Sequence, residues 1–538
     1  MLAGALLRCA TLPYLSFHGD EAYTLRYSEM PASWILTHYV TGLTMHAYVL
    51  LMKVWGGWFG RSEIAFKLPS LIAGIALVPV LFLLARRLLD ERTALVAAFL
   101  AAVDPQLVLS SRLARTYALL LLLAIVSMWA AHRAWSSPRG SAFVLLGFWN
   151  AVAITFSMNA VYLVATQSAW LLVEALLEKR ERRRALFSGL LVAGSVAAAL
   201  AFAFYAAILS DVDRFARGAS GSTRPVYETL LGGLASLHPT ASLVLLLVAV
   251  AGFWRVLQAG AGGRLIVFWA VVPCLVFAVM NPRLPMWAIG RYLLASLPAQ
   301  LVVLAAGWIE IADRLARLGS LGRLAPARRG VVAASIAIVL AAGSLGSAWA
   351  RHPSRFAPVL SEQRPIPPAV ATISGLAEPR DLLVTGRDHE RWIFEDRVPC
   401  PVLSLEDLLE MGEPVSTGRL LFVVDRDDAA EDEWRRSFRL HPVASEGWRD
   451  EIVVLESGSI AKPGAGSEAI QAFLRGTIVA ARAKPIRMPY RQHGRLASLL
   501  DSLAALEAIS GKAGRAKRHH AEALRQRELA EGHRREEI

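Results

Sequence analysis

Long apolar runs, broken by short arginine-rich loops, set the plan of the first 350 residues. Runs near 2–17, 65–84, 93–109, 117–132, 142–158, 160–177, 186–209, 239–257, 265–280, 292–311 and 331–349 are expected as about eleven membrane spans, since a helix needs roughly 17–25 mostly apolar residues to cross the hydrocarbon core. The run 2–17 is short by that measure, which points to a start upstream of Met1. It lacks a basic leading region and runs into acids rather than a small-residue cleavage site, so no cleavable signal peptide is expected.

Alternate loops are basic: Arg86, Arg87 and Arg92; Arg133 and Arg139; Lys179, Arg180 and Arg182 to Arg184; Arg255 and Arg264; Arg314, Arg317, Arg323, Arg328 and Arg329. The positive-inside rule puts these on the cytoplasmic side. The N-terminus is then cytoplasmic. The segments His18–Glu63, Arg112–Tyr117, Asp211–His238 and Asn281–Tyr292 face outward, as does everything after the last span. The first of these, 18–63, carries Trp34, Tyr39, Tyr48, Trp55, Trp58 and Phe59 among aliphatic residues at helical spacing. That pattern predicts interfacial helices; a surface-lying lid without chemistry has the same pattern.

After residue 350 the pattern changes. A proline-rich linker (351–380) leads to a small α/β domain (381–460), with strands expected at Asp381–Thr385, Arg419–Asp425 and Glu451–Leu455 and helices at Ser404–Glu410 and Glu431–Phe438. Residues 461–538 form a basic tail, helical or disordered. In it Leu496, Leu499, Leu500, Leu503 and Leu506 make an apolar stripe suited to packing on a partner surface, and 512–538 is a mixed-charge run. The fold class is thus a membrane all-α multi-pass bundle (1–350) with a small external α/β C-terminal domain.

Composition agrees. Of 538 residues 55% are hydrophobic and 19% charged, with a mean hydropathy of +0.43, against about a quarter charged in soluble domains. The net charge of +13 lies in loops between spans, which argues against a nucleic-acid partner. Cys9, Cys274 and Cys400 are scattered and form neither a disulfide framework nor a CxxC metal motif.

The candidate chemistry lies on the outward side. Asp20 and Glu21 follow directly on the first apolar run, and an acid at a membrane face is costly unless hydrated, paired or functional. Arg112 and Arg115 are three apart, a spacing that shares a face on a helix, and stand where the positive-inside rule gives no reason for a basic pair. Tyr117 follows. Arg291 and Tyr292 open another span on the same side. His46, Lys53, Lys67, His238 and Arg283 also face outward: His46 is a possible site residue or an ordinary interfacial histidine, Lys53 and Lys67 suit a phosphate or a lipid headgroup equally, and His238 and Arg283 read as structural. Asp211, Asp213, Arg214 and Arg217 form a loop cluster, and Asp425, Asp427 and Asp428 read as solvated turn residues.

Several stretches in this order resemble one family. They are Asp20-Glu21 after the first span, His46 in a long amphipathic loop, Phe59-Gly60-Arg61-Ser62-Glu63-Ile64-Ala65-Phe66-Lys67-Leu68-Pro69-Ser70, Ser110-Ser111-Arg112-Leu113-Ala114-Arg115-Thr116-Tyr117, and Gly290-Arg291-Tyr292-Leu293-Leu294. Over about residues 10–310 the chain is similar to bacterial glycosyltransferases of the protein mannosyltransferase and aminoarabinose transferase type, whose membrane fold is called GT-C. Many relatives carry His-Pro-Pro in the first loop; here the stretch is Met45-His46-Ala47.

The resemblance implies a polyprenyl-phosphate sugar donor, used at the outer face of a bacterial cytoplasmic membrane, and a catalytic role for the first acid, Asp20. Such transfer needs a base, cations for the phosphate and a greasy groove for the prenyl chain. Asp20 fits the base, with helix capping or an Arg partnership as its structural alternatives; Glu21 pairs with an Arg or assists. Arg112, Arg115, Tyr117, Arg291 and Tyr292 are the expected phosphate binders, since the planar guanidinium suits phosphate oxygens. The acid pair also has the chemistry to bind a hard divalent cation, and no residue pattern demands one. Two rivals stand beside this reading. A lipid or sugar transporter would show charges within spans and repeat-related broken helices. A non-catalytic scaffold would bind a partner through its outer domain.

Overall fold

The structure, a computed structural model, describes residues 2–9, 12, 19–37, 45–206, 243–280 and 293–317, then 332, 334–339, 342, 373–379, 382–385, 398–400, 402–404, 420–425, 441–446, 452–456, 500 and 513–536. It divides into two compact units, Met1–Pro13 with Tyr23–Glu362, and Tyr14–Ala22 with Gln363–Ile538.

The first unit is a helical bundle, except that residues 19–22 at the start of its second helix belong to the other unit. Its helices in chain order are α1 (Leu2–Cys9), α2 (Gly19–Glu29), α3 (Ala32–Thr37), α4 (His46–Phe59), α5 (Glu63–Leu88), α6 (Glu91–Val103), α7 (Pro105–Arg112), α8 (Tyr117–Ser136), α9 (Gly140–Phe156), α10 (Val161–Leu177), α11 (Arg180–Tyr205), α12 (Leu243–Leu257), α13 (Gly260–Met280) and α14 (Leu297–Arg317). Among the described residues six helical stretches are long and apolar enough to cross a membrane, or seven with the bent pair α6–α7; α9 and the stretch Val244–Leu257 are shorter apolar helices. The chain is a multi-pass membrane protein. Of the expected spans 2–17 and 331–349, residues 2–9 and 12 of the first and 332, 334–339 and 342 of the second are described.

Local signals set the boundaries. Ser62 caps α5, its hydroxyl accepting from the Ala65 amide at 3.3 Å. Asp90 caps α6 through the Thr93 amide at 2.9 Å. These side chains satisfy amide donors that a helix leaves unpaired in its first turn.

The span expected at 93–109 is a bent pair of helices: the chain turns by 55° between α6 and α7. Pro105 has no N–H to continue the α6 ladder, and Asp104 ends α6 while capping α7 through the Leu107 amide at 2.9 Å.

Inside the bundle, close approach and buried hydrogen bonds replace the hydrophobic drive that lipid cannot supply. A Cβ on Gly147 of α9 would stand 2.5 Å from the Ala193 carbonyl of α11, so these helices touch backbone to backbone. Ser127, Asn150 and Gln167 from α8, α9 and α10 close a buried ring of hydrogen bonds: Ser127 Oγ to Asn150 Oδ1 at 2.5 Å, Asn150 Nδ2 to Gln167 Oε1 at 2.7 Å, and Gln167 Nε2 to Ser127 Oγ at 2.6 Å. The indoles of Trp170 and Trp269, both fully buried, donate to the carbonyls of Ala261 (3.2 Å) and Ala295 (2.7 Å).

The end of the bundle that bears the basic loops is tied by ion pairs. Arg255 reaches Asp313 (2.9 Å), Glu310 (3.3 Å) and Asp90 (3.5 Å), and Arg92 reaches Asp313 at 3.0 Å. Arg264 forks onto Glu174 at 2.6 and 2.7 Å.

The second unit contains a five-stranded sheet, β1 (Leu382–Thr385), β2 (Val402–Ser404), β3 (Leu420–Asp425), β4 (His441–Glu446) and β5 (Ile452–Glu456), in the order β2-β1-β3-β5-β4. β2, β1 and β3 run parallel; β5 is antiparallel to β3 and β4. Three strands fall where the apolar β-branched runs put them. β2 and β4 are additional; β4, His441-Pro442-Val443-Ala444-Ser445-Glu446, carries little apolar signal and has a register shift between Pro442 and Ala444. A further helix, Ala513–Glu536, lies in the tail. The helices expected at 404–410 and 431–438, and Leu496, Leu499, Leu503 and Leu506 of the stripe, lie outside the described residues; Leu500 is buried.

Candidate active site

Helix α2 places Asp20 and Glu21 in its first turn, where the helix dipole favours negative charge. The Asp20 side chain lies outside the described residues; Glu21 is fully buried. Further along, Tyr23 stacks on Tyr27 (6.1 Å between centroids) and Tyr27 on Trp34 of α3 (5.9 Å). Glu29 closes α2 in ion pairs with Arg26 and Arg61, each at 3.1 Å.

Thr24, one helical turn after position 20, is buried, and its hydroxyl accepts from Arg115 Nη1 at 3.5 Å. Arg115 sits on the turn 113–116 between α7 and α8. That turn is pinned from three sides. The Ser70 hydroxyl of α5 donates to the Arg115 carbonyl at 2.9 Å, Tyr48 of α4 shares a 3.1 Å hydrogen bond with Ser70, and Thr116 donates to the Phe156 carbonyl at 2.9 Å. The Arg115 guanidinium also lies 5.9 Å from the ring of Tyr117, the first residue of α8, a cation–π distance.

Arg112 ends α7 and is 2% exposed. Helix α7 stops there, so Arg112 and Arg115 do not share a helix face as their spacing predicts. They occupy a helix end and the turn that follows it. Lys67, read from the sequence as a phosphate or lipid-headgroup contact, is fully buried on α5, one turn before Ser70. Cations this deep are costly unless they are paired or hydrogen-bonded. Lys53 is more ordinary: its ammonium donates to the carbonyls of Ser28 (3.5 Å) and Glu29 (3.4 Å), at the C-terminus of α2, where positive charge is favoured.

His46 is the first residue of α4, fully buried, its ring edge-on to Tyr205 at 5.7 Å. Tyr205 in turn donates to the carbonyls of Ile154 (3.0 Å) and Thr155 (3.3 Å). His46 thus packs at the α9–α11 edge. Arg291, Tyr292, His238, Arg283, Asp427, Asp428 and the Asp211–Arg217 cluster lie outside the described residues, as does the Asp425 side chain. Among the described residues no three His, Cys, Asp or Glu side chains gather in a metal-binding group.

Sequence reasoning missed Thr24 and Ser70, which carry no distinguishing pattern. It also passed over Arg8 and Asp104, each a charged residue inside an apolar run. Arg8 is fully buried and Asp104 is 7% exposed.

The chain has the GT-C fold. Residues 45–205, from α4 through α11, match the family model of dolichyl-phosphate-mannose-protein mannosyltransferase. Among solved structures, ArnT from Cupriavidus metallidurans in the apo state superposes with a TM-score of 0.56 at 13% identity, over 85% of this chain and 97% of that one. The same protein bound to undecaprenyl phosphate gives 0.56 at 14% identity, over 86% and 98%. No curated protein sequence matches the chain.

Proposed function

We propose that the protein transfers a sugar from a polyprenyl-phosphate donor to an envelope acceptor at the outer face of a bacterial cytoplasmic membrane. The observation that carries this reading is the placement of Arg112 and Arg115. One is buried at a helix end. The other donates to the Thr24 hydroxyl of α2. The ArnT complex with undecaprenyl phosphate, on the same fold, supports the donor class.

In this mechanism Asp20 takes the proton from the acceptor hydroxyl or amine. The freed nucleophile attacks the anomeric carbon opposite the phosphate. The carbon–oxygen bond to phosphate breaks, its electron pair leaves on the phosphate oxygen, and the anomeric configuration inverts. General-base help of this kind is worth about 10²–10⁴ in rate. Arg112, Arg115 and Arg291 neutralise the departing polyprenyl phosphate, with Tyr117 and Tyr292 donating to its oxygens. Glu21 orients the base. The exposed Val54, Trp58 and Phe59 of α4 meet the bilayer beside the prenyl chain. The N-terminus is cytoplasmic, and the sheet-containing unit lies outside.

Donor binding tests the proposal. Purified wild type in nanodiscs is expected to bind radiolabelled undecaprenyl phosphate, and Arg112→Gln to bind it at least about tenfold more weakly, as loss of a charge-assisted contact implies. Equal binding by Arg112→Gln and Arg115→Gln would overturn the phosphate assignment.

A further inference from the structure

The break between α6 and α7 removes or redirects the amides that would pair with the Ala101, Ala102 and Val103 carbonyls. Residue 105 is proline and has no N–H to give Ala101. The Gln106 and Leu107 amides turn to the Asp104 carboxylate. The Ala101 and Ala102 carbonyls are nonetheless satisfied, by a side chain from elsewhere in the unit. Arg8 of α1 donates from Nη2 to the Ala101 carbonyl at 3.0 Å and from Nη1 to the Ala102 carbonyl at 2.8 Å. Nη1 also reaches the Gly4 carbonyl at 3.0 Å, and Nε donates to Ser111 Oγ at 3.1 Å.

Arg8 is fully buried, so its charge is kept only because these acceptors and the nearby Asp104 carboxylate replace water. The close packing of α1 depends on Gly4, where a Cβ would stand 2.8 Å from that of Ala102.

The fourth of these bonds gives the arrangement a direction. Ser111 donates its own hydroxyl hydrogen bond to the Leu107 carbonyl and abuts Gly74 of α5, where any Cβ would collide with the Ser111 hydroxyl. Ser111 immediately precedes Arg112. One guanidinium therefore grips α7 at both ends, at the break before its first residue and at the residue before Arg112.

We propose that Arg8 is a positioning residue: it holds the α6–α7 span broken at Asp104-Pro105 and so sets where Arg112 and the 113–116 turn stand. The part of this that concerns the donor rests on the function proposed above. The geometric part does not.

Two measurements on the full chain in nanodiscs test it, amide hydrogen exchange and binding of undecaprenyl phosphate. In Arg8→Met, amides 105–117 are expected to exchange at least about tenfold faster while those of α8–α10 keep wild-type rates, and the probe to bind about tenfold more weakly. Adding Pro105→Ala restores an amide that can pair with the Ala101 carbonyl. The double variant is expected to regain slow exchange but not binding, because α7 then continues α6 and carries Arg112 elsewhere.

Recovery of exchange and binding together would reduce Arg8 to a stabilising contact and overturn the proposal. Unchanged exchange at 105–117 in Arg8→Met, or a rise spread over the whole bundle, would overturn it as well. Should Arg8→Met fail to insert, Arg8→Lys, which keeps the charge but not the fork, is read the same way with a smaller shift. If wild type itself does not bind the probe, the donor reading falls, and the exchange pattern alone decides the clamp.

Discussion

The Glu174–Arg264 pair gives a prediction whose size follows from geometry. Glu174 on α10 is 2% exposed and Arg264 on α13 is 32% exposed; the fork closes at 2.6 Å on one arm and 2.7 Å on the other. Removing the cation by Arg264→Met strands a buried carboxylate. Breaking a fully buried pair costs about 3–5 kcal/mol. Here solvent reaches Arg264, which lowers the pair's net worth, so a loss of about 2–3 kcal/mol is expected. Replacing both partners, Glu174→Leu with Arg264→Met, removes the stranded charge and is expected to fall within about 1 kcal/mol of wild type. The assay is reversible unfolding in mixed micelles with increasing SDS, followed by tryptophan fluorescence. A loss below about 0.5 kcal/mol in Arg264→Met would refute the reasoning, as would a double variant as damaged as the single one.

Two further predictions concern stability. Gln167→Leu opens the Ser127–Asn150–Gln167 ring and is expected to cost about 1 kcal/mol in the same assay, the scale of interhelical hydrogen bonds in membranes. At Asp90, burial opposes the charge, but hydrogen bonds from Thr93 and the charges of Arg255 and Arg92 outweigh it and hold the carboxyl below the usual carboxylate range. Asp90 therefore stabilises the fold above its unfolded pKa of about 3.9. That contribution fades as pH falls through the lower folded value. The stability gap between wild type and Asp90→Asn is expected at pH 7 and to close below about pH 4; a gap that widens on acidification would reverse the sign.

Much of the bundle is legible in the chain because membrane helices announce themselves locally. Ser62 and Asp90 cap their helices as their residue types predict, and the valine-rich runs at 382–385, 420–425 and 452–456 become strands. What escaped was set by contacts between distant segments. Arg112 and Arg115 are spaced for one helix face, but the hydroxyls of Ser70 and Thr116 pin the intervening turn, and no local pattern encodes that. The span expected at 93–109 contains Asp104-Pro105, a break signal masked by the apolar residues around it. Its stability depends on Arg8, about a hundred residues away, itself masked by its apolar run. Lys67 read as a phosphate or headgroup contact because its neighbours do not reveal that α5 turns that face inward.

The central claim is that Asp20 activates an acceptor against a polyprenyl-phosphate sugar. The most direct measurement is sugar transfer from a labelled polyprenyl-phosphate donor into host envelope extract, by membranes containing wild type or Asp20→Asn at equal, correctly inserted levels. Transfer by wild type, reduced about 10²–10⁴-fold in Asp20→Asn, is the predicted result. Equal transfer by the two proteins would contradict the account and remove Asp20 from the mechanism.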